Sequence, residues 1–380
     1  MKTRMKSSNR DSLFKNFDFV PTERSLFINK EKFLELIQEM KEKESLSTLR
    51  NSIVNMEANL RKLGHDKIGV LNIYSNGDTI EMRQRHLFEQ LEQIVESQTL
   101  QRAKHYIDRL EKAVTQVRTN KINDINLNRW KEYDDIRTDS LWIIDKRDST
   151  GVHTAGYWGN FIPQIPNQMI KRYTKKGDWI LDTFVGCGTT LIESQRLGRN
   201  GVGVELQEEV AQKAREFIAS EPNKHNVVAD VVTGDSRTIE FGELLRRYNQ
   251  KYVQLLVMHP PYFDIIKFSS DPRDLSTAPC VEKFLEMMNT VVEHSSAVLQ
   301  KGRYLALVIG DKYSKGEWIP LGFLTMNGII KKGFSLKSII VKNFEETTAK
   351  RNQKELWRYR AMVGGFYIFK HEYVFLFKKN

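Results

Sequence analysis

Apolar residues recur at helical spacing through the first third of the chain. Phe33, Leu34, Leu36, Ile37 and Met40 share one face of a predicted helix, and Leu87, Leu91, Ile94 and Val95 begin a second. From Ala103 the positions Ile107, Leu110, Val114 and Val117 alternate spacings of four and three with charges between them. That stripe predicts a helix packed on its own domain, with the seam of a homodimer through the N-terminal helices as the second reading. Residues 67–78 (KIGVLNIYSNGD) read as a strand closed by an Asn-Gly turn. The polar stretch 120–135, with Asn120, Asn123, Asn126 and Asn128, reads as a linker, and no internal repeat is present.

From Asp139 onward the texture is that of an α/β domain. Strands are expected at 179–181, 201–205, 227–234 and 253–258, with helices at 190–197 and 210–219 between the earlier ones. The run Val253 to Met258 is apolar but for Gln254, as in a strand buried on both faces. Further strands are expected at 304–309, 336–341 and 373–377, the last two antiparallel. The alternation implies a mostly parallel sheet with helices on both faces.

Composition agrees with a folded chain. Its 380 residues are 40% hydrophobic and 28% charged, enough for one α/β domain and a smaller unit. No apolar run reaches the length of a membrane span and no signal core follows Met1, so the expected compartment is the cytoplasm. Cys187 and Cys280 are too few for a disulfide framework, and His153, His225 and His371 show no metal-ligand spacing, so no metal is implied. The formal charge of +11 is uneven: residues 1–150 carry 27 Lys+Arg against 24 Asp+Glu, whereas 331–380 carry 12 against 4. Within the latter, Lys350, Arg351, Lys354, Arg358 and Arg360 interleave with Trp357 and Tyr359, a mixture suited to phosphate contact and base stacking.

Candidate chemistry starts where the strand at 179–181 runs into Asp182-Thr183-Phe184-Val185-Gly186-Cys187-Gly188-Thr189-Thr190. Gly186 and Gly188 let the backbone approach a ligand at the carboxyl end of a strand. Glu205 follows Gly186 by 19 residues at the end of the next strand, where an acidic side chain commonly holds ribose hydroxyls. The dinucleotide fingerprint G-x-G-x-x-G is absent, which disfavours NAD. Farther on, the buried strand ends in His259-Pro260-Pro261-Tyr262.

A Gly-rich strand end combined with a second strand ending in a Pro-Pro-aromatic turn resembles the S-adenosylmethionine-dependent amino methyltransferases that act on N4 of cytosine or N6 of adenine in DNA. The resemblance spans residues 157–377, and residues 1–130 carry no motif of it. It implies a Rossmann-like fold with a seven-stranded sheet and an antiparallel last strand, S-adenosylmethionine as cofactor and double-stranded DNA as partner. It adds Asp182, Phe184, Thr189 and Thr190 to the cofactor turn and makes Asp235 an acceptor for the cofactor's adenine. It also makes Phe161 and Pro163, in the segment 159–167 before a helix starting near Gln168, the far wall around the methionine part.

The same resemblance assigns the catalytic turn. In the family the first motif residue and the carbonyl of the first proline accept hydrogens from the amine, and the aromatic residue stacks on a base swung out of the helix. Those roles fall on His259, on Pro260 with its neighbour Pro261, and on Tyr262. The usual first residue is Asp, Asn or Ser; a neutral histidine can still accept through one ring nitrogen. Asp264 is a spare carboxylate beyond the turn, and Asp311 a strand-end carboxylate facing the same cleft.

The reading is therefore a mainly helical accessory domain at 1–135, for target recognition or dimerisation, and a methyltransferase domain at 136–380 with a basic DNA-gripping insertion at 343–366. A site-specific DNA methyltransferase of the restriction-modification or epigenetic kind, associated with the nucleoid, is the function implied. An RNA base methyltransferase and an inactive cofactor-binding partner subunit are the alternatives.

Overall fold

The computed structural model describes residues 25–61, 78–153, 159–344 and 354–380. The strand expected at 67–78 lies outside them but for Asp78, as do Lys350 and Arg351. The chain divides into two units, the smaller running to Arg118 and including Asn126–Asp134, the larger comprising Thr119–Ile125 and Asp135–Asn380.

In the smaller unit, β1 (Ser25–Asn29) pairs antiparallel with β2 (Thr79–Arg83), and four helices follow the apolar stripes: α1 (Lys30–Lys41), α2 (Leu46–Arg61), α3 (Gln84–Val95) and α4 (Leu100–Thr115). Asn29 caps α1 by accepting from the Lys32 amide at 3.1 Å. The stripe Ala103, Ile107, Leu110 and Val114 is buried in this unit's own core with Phe33, Ile37, Leu49 and Leu91. The stripe thus packs within its own unit, the first of its two readings. Val117 lies beyond the helix end and is exposed.

The expected linker is split. Asn123 donates to the Arg172 carbonyl at 2.7 Å and Asp124 pairs with Arg199 at 2.8 Å, so 119–125 is tied into the larger unit. A 3₁₀ turn at Leu127–Glu132 belongs to the smaller one.

The larger unit is built on one sheet of eight strands, one more than expected, in the order β3-β11-β12-β8-β7-β4-β5-β6. These are β3 (Leu141–Trp142), β4 (Trp179–Asp182), β5 (Asn200–Glu205), β6 (Ala229–Thr233), β7 (Val253–Met258), β8 (Leu299–Ile309), β11 (Phe334–Asn343) and β12 (His371–Lys379). The extra strand is β3, a two-residue piece parallel to β11. β4 to β8 run parallel, while β12 is antiparallel to both of its neighbours, β8 and β11. A small hairpin, β9 (Lys312–Ser314) with β10 (Glu317–Ile319), follows β8.

Alternation along β7 shows why both faces are covered. Leu256 and Met258 join Leu181, Val204, Leu307 and Phe375 under α9 (Val281–Ala297), whereas Leu255 and Val257 join Ile180, Val308 and Val374 under α5 (Gln164–Tyr173). α5 starts four residues before the expected point because Pro166 sits in its first turn, where a missing amide is harmless. On β5 the period of two puts Gly201, Gly203 and Glu205 on one face. A Cβ at Gly203 would meet Val185 Cγ2 at 2.5 Å, and one at Gly201 would meet Leu191 Cδ2 at 2.6 Å. Absence of side chains here lets α6 (Thr189–Arg196) and the turn before it lie directly on the sheet.

Gly203→Ala should consequently destabilise the larger unit by about 1–3 kcal/mol, the usual cost of overpacking a closed contact. A urea denaturation series gives the measurement, and a midpoint equal to wild type would show that Val185 yields freely.

Candidate active site

The carboxyl ends of the parallel strands converge. Asp182 pairs in register with both Gly203 and Val257, Glu205 with Thr233, and Met258 with Leu307. From β4 the chain passes to β5 and β6 on one side and later to β7 on the other, so the turn after β4 lies at the switch point where open α/β sheets bind ligands. A cavity of about 1090 Å³ opens there, lined by the turns after β4, β5, β6, β7 and β8.

The Gly-rich turn is held from below. Asp182 is fully buried at the strand end and accepts from the Phe184 amide at 2.9 Å; burial pushes its carboxyl up to about 6. Gly186 and Gly188 take φ of 53° and 90°, values that favour glycine, and Gly188 caps α6. Glu205 reaches across, one oxygen accepting from the Gly186 amide at 3.1 Å and the other from Gln207 at 3.1 Å. Its carboxyl is raised by burial.

Of the cofactor-site residues expected from the sequence, Phe161, Phe184, Gly186, Glu205 and Asp235 line the cavity. Pro163, Asp182, Gly188, Thr189 and Thr190 do not reach its wall among the described residues. They underpin it: Pro163 precedes α5, Gly188 and Thr190 sit at the start of α6, and Thr189 donates to Asn160 at 2.7 Å. Asp235 is engaged by Arg237 at 2.8 Å, which leaves it only part of its accepting capacity for a ligand.

His259, Pro260, Pro261 and Tyr262 all line the same cavity. The His259 ring packs against Phe161, with centroids 4.6 Å apart and planes tilted by 31°, and Phe161 is in turn fixed by Arg147, which donates to its carbonyl at 2.8 Å. Nε2 of His259 lies 3.1 Å from the Tyr262 hydroxyl, and that hydroxyl donates to Glu372 at 2.8 Å. Burial drives the His259 imidazole down to about 4, against a weaker upward pull from Glu372. Burial and Glu372 together raise the Tyr262 phenol well above its ordinary value, so it keeps its proton. Among the described residues no donor is bonded to the Pro260 carbonyl.

The other singled-out groups have structural partners. Asp264 pairs with Lys312, and Asp311 accepts from Trp318 at 3.0 Å and from the Gly322 amide at 2.9 Å. His153 meets Glu193 at 2.7 Å, and His371 meets the Tyr373 hydroxyl at 3.0 Å. Among the described residues no cluster of His, Cys, Asp and Glu is placed to hold a metal, and no helix is long and apolar enough to cross a membrane.

The basic segment contains a helix, α11 (Lys354–Gly364), on which Arg358, Tyr359 and Arg360 are exposed. Arg360 lies over the Trp357 ring at 5.3 Å, and Trp357 lines the cavity together with Tyr313, Phe344, Phe366 and Tyr367. Tyr313 and Phe366 stack with centroids 4.0 Å apart. Tyr313, Phe344, Phe366 and Tyr367, with Lys342 and Glu372, are site residues that motif reading missed, since each is remote in sequence from the glycine and proline turns.

Comparison with known proteins adds an independent line. The chain is 32% identical over 117 residues to the type II methyltransferase M.MjaII of Methanocaldococcus jannaschii, which covers 28% of this chain and 22% of that protein. Over 67 residues it is 39% identical to M2.DpnII of Streptococcus pneumoniae, covering 17% of this chain and 25% of that one. With M.MthZI of Methanothermobacter thermautotrophicus it shares 27% over 125 residues, a third of each chain. The chain thus spans a third or less of the length of these relatives. Among solved structures, TrmN from Thermus thermophilus aligns over 58% of this chain and 49% of that one at 17% identity and a TM-score of 0.39. The sequence model of the DNA methylase family, of the N6/N4 type, matches residues 21–216, a span that takes in most of the smaller unit and the Gly-rich turn and ends before His259. With that match over half its length, the chain belongs to the N6/N4 DNA methylase family of S-adenosylmethionine-dependent methyltransferases.

Proposed function

We propose that this chain methylates the exocyclic amino group of an adenine (N6) or cytosine (N4) turned out of a DNA duplex. One observation carries the reading: the Gly-rich turn with Glu205 and the His-Pro-Pro-Tyr turn form walls of one cavity. When bound, S-adenosylmethionine supplies a methyl group on a sulfonium. The donor set fits it. Gly186 keeps the turn open to close approach, Glu205 offers carboxylate oxygens at the end of β5, and Phe184 and Phe161 supply apolar surface.

The chain's own residues then prepare the amine. Its lone pair is delocalised into the base, and two acceptors for its hydrogens turn that pair out of the ring plane. The Pro260 carbonyl, which no donor engages among the described residues, is one acceptor, and neutral His259 the other. Tyr262 and the aromatic wall around Tyr313 and Phe366 offer stacking faces for a base removed from the helix. The exposed arginines of α11 and the clustered Lys350, Arg351 and Lys354 contact phosphates. Residues 1–135 serve as the accessory unit for target recognition.

DNA from cells expressing the chain, digested to nucleosides, should contain N6-methyladenine or N4-methylcytosine by mass spectrometry. Methylated RNA alone, or no methylated base, would overturn the proposal. Glu205→Ala should weaken binding of S-adenosylmethionine roughly ten- to a hundredfold in calorimetry, the range for hydrogen bonds to a charged group.

His259 is neutral far below ordinary pH, and an imidazolium could neither accept from the amine nor tolerate the positive charge developing there. The single-turnover rate should therefore show no histidine inflection across roughly pH 6 to 9 and should decline only as pH falls toward about 4. An inflection near the free-histidine value of about 6.5 would show that the ring is solvated in the working enzyme.

Replacing Arg358 and Arg360 by alanine should weaken binding to all duplexes and reduce the salt slope by about 0.9 for each phosphate that is no longer neutralised. A double variant with wild-type salt dependence would make α11 ordinary surface.

A further inference from the structure

Behind the His-Pro-Pro-Tyr turn lies a buried charged pair that the reaction as described does not use. Lys342 and Glu372 are directly opposed residues of antiparallel β11 and β12, 5% and 8% exposed, with Nζ and Oε1 3.1 Å apart. A buried ion pair adds little net stability, because removing both charges from water costs about as much as their attraction returns. The other carboxylate oxygen points toward the site, where Glu372 Oε2 accepts the Tyr262 hydroxyl at 2.8 Å.

We propose that Lys342, Glu372 and Tyr262 act as positioning residues that hold His259 in the Nε2–H tautomer, so that its lone pair resides on Nδ1 and faces the substrate amine. A carboxylate held by an ammonium has only acceptor sites, so the phenol proton is directed at Glu372. What the Tyr262 oxygen then offers His259 at 3.1 Å is a lone pair, and Nε2 must be the donor. A neutral imidazole with hydrogen on Nε2 accepts only through Nδ1. Nδ1 makes no hydrogen bond among the described residues and is not among the fully buried atoms left unpartnered, while His259 itself lines the cavity. The acceptor thus opens on the cavity, and the Phe161 ring packed against the imidazole restrains it from turning away.

Covalent geometry gives the tautomer its importance. Nδ1 is bonded to Cγ, as is the side-chain oxygen of Asp or Asn, whereas Nε2 lies a bond farther out. Histidine replaces the family's usual acceptor at equal reach only when Nδ1 is the bare nitrogen. Lys342, Glu372 and Tyr262 therefore complement the departure from the usual first motif residue.

The inference rests on the proposed amine chemistry, and its test reads the tautomer without substrate. In the full chain with ¹⁵N-histidine, long-range proton–nitrogen correlation distinguishes a protonated from a bare ring nitrogen, and His259→Asn assigns the signals. Wild type should show Nε2 protonated and Nδ1 bare. Tyr262→Phe should shift the ring toward the other tautomer. The paired change Lys342→Met with Glu372→Leu, which leaves no lone charge to unfold the chain, should do the same. Wild-type Nδ1–H, or a tautomer indifferent to both variants, overturns the proposal. In single-turnover methylation Tyr262→Phe should cost about tenfold, the size of one hydrogen bond, and clearly less in the His259→Asn background. An equal cost in both backgrounds also overturns it, whereas the expected tautomer in a chain that methylates nothing sinks the functional reading alone.

Discussion

The site depends on the pairing of β4 with its two neighbours. Asp182 stands opposite Gly203 on one side and Val257 on the other, so the turns that begin at Thr183, Leu206 and His259 leave the sheet from one line. Strand register has a period of two, and a slip of one residue would carry Leu256 and Met258 to the face of α5 and Leu255 and Val257 to that of α9. With both faces of β7 buried, any such slip must repack two cores, and the line of turns is correspondingly fixed.

That fixity allows the site to hold polar groups in costly states. Asp182 is fully buried beneath the Gly-rich turn, where burial raises its carboxyl to about 6, and Glu205 spends both oxygens on backbone amides. Neither arrangement is what an isolated side chain would choose. Each ties the loop to a strand end, and the glycines of β5 let the loop come near enough for the tie to form.

The strands at the centre of the sheet were legible because both faces are buried: apolar runs such as Leu255 to Met258 have few alternatives. The Gly-rich turn and Glu205 were legible because their spacing is local. β1 and β2 were not, since each is five residues long and its partner is some fifty residues away. Lys342 and Glu372 lie just outside the strands expected at 336–341 and 373–377, and only the antiparallel register of β11 and β12 places them opposite each other in the interior. Phe161 could be placed near the cofactor turn, but its ring contact with His259 brings together two segments about a hundred residues apart. Pro166 misled in the opposite direction, since a proline in a helix's first turn looks like a loop residue in sequence.

The position of β12 bears on how the sheet assembles. It lies between β8 and β11, and β11 also receives β3, whose residues 141 and 142 pair with 341 and 342 across two hundred positions of chain. Until β12 inserts, β8 presents Leu305 to Ile309 along an unpaired, wholly apolar edge, the kind of surface that recruits other chains. Closing contacts of such long sequence separation is slow. The nascent chain is therefore most vulnerable to aggregation at the stage just before the strand that carries Glu372 docks, and yield on production should depend more on temperature and chain concentration during folding than on the stability of the finished sheet.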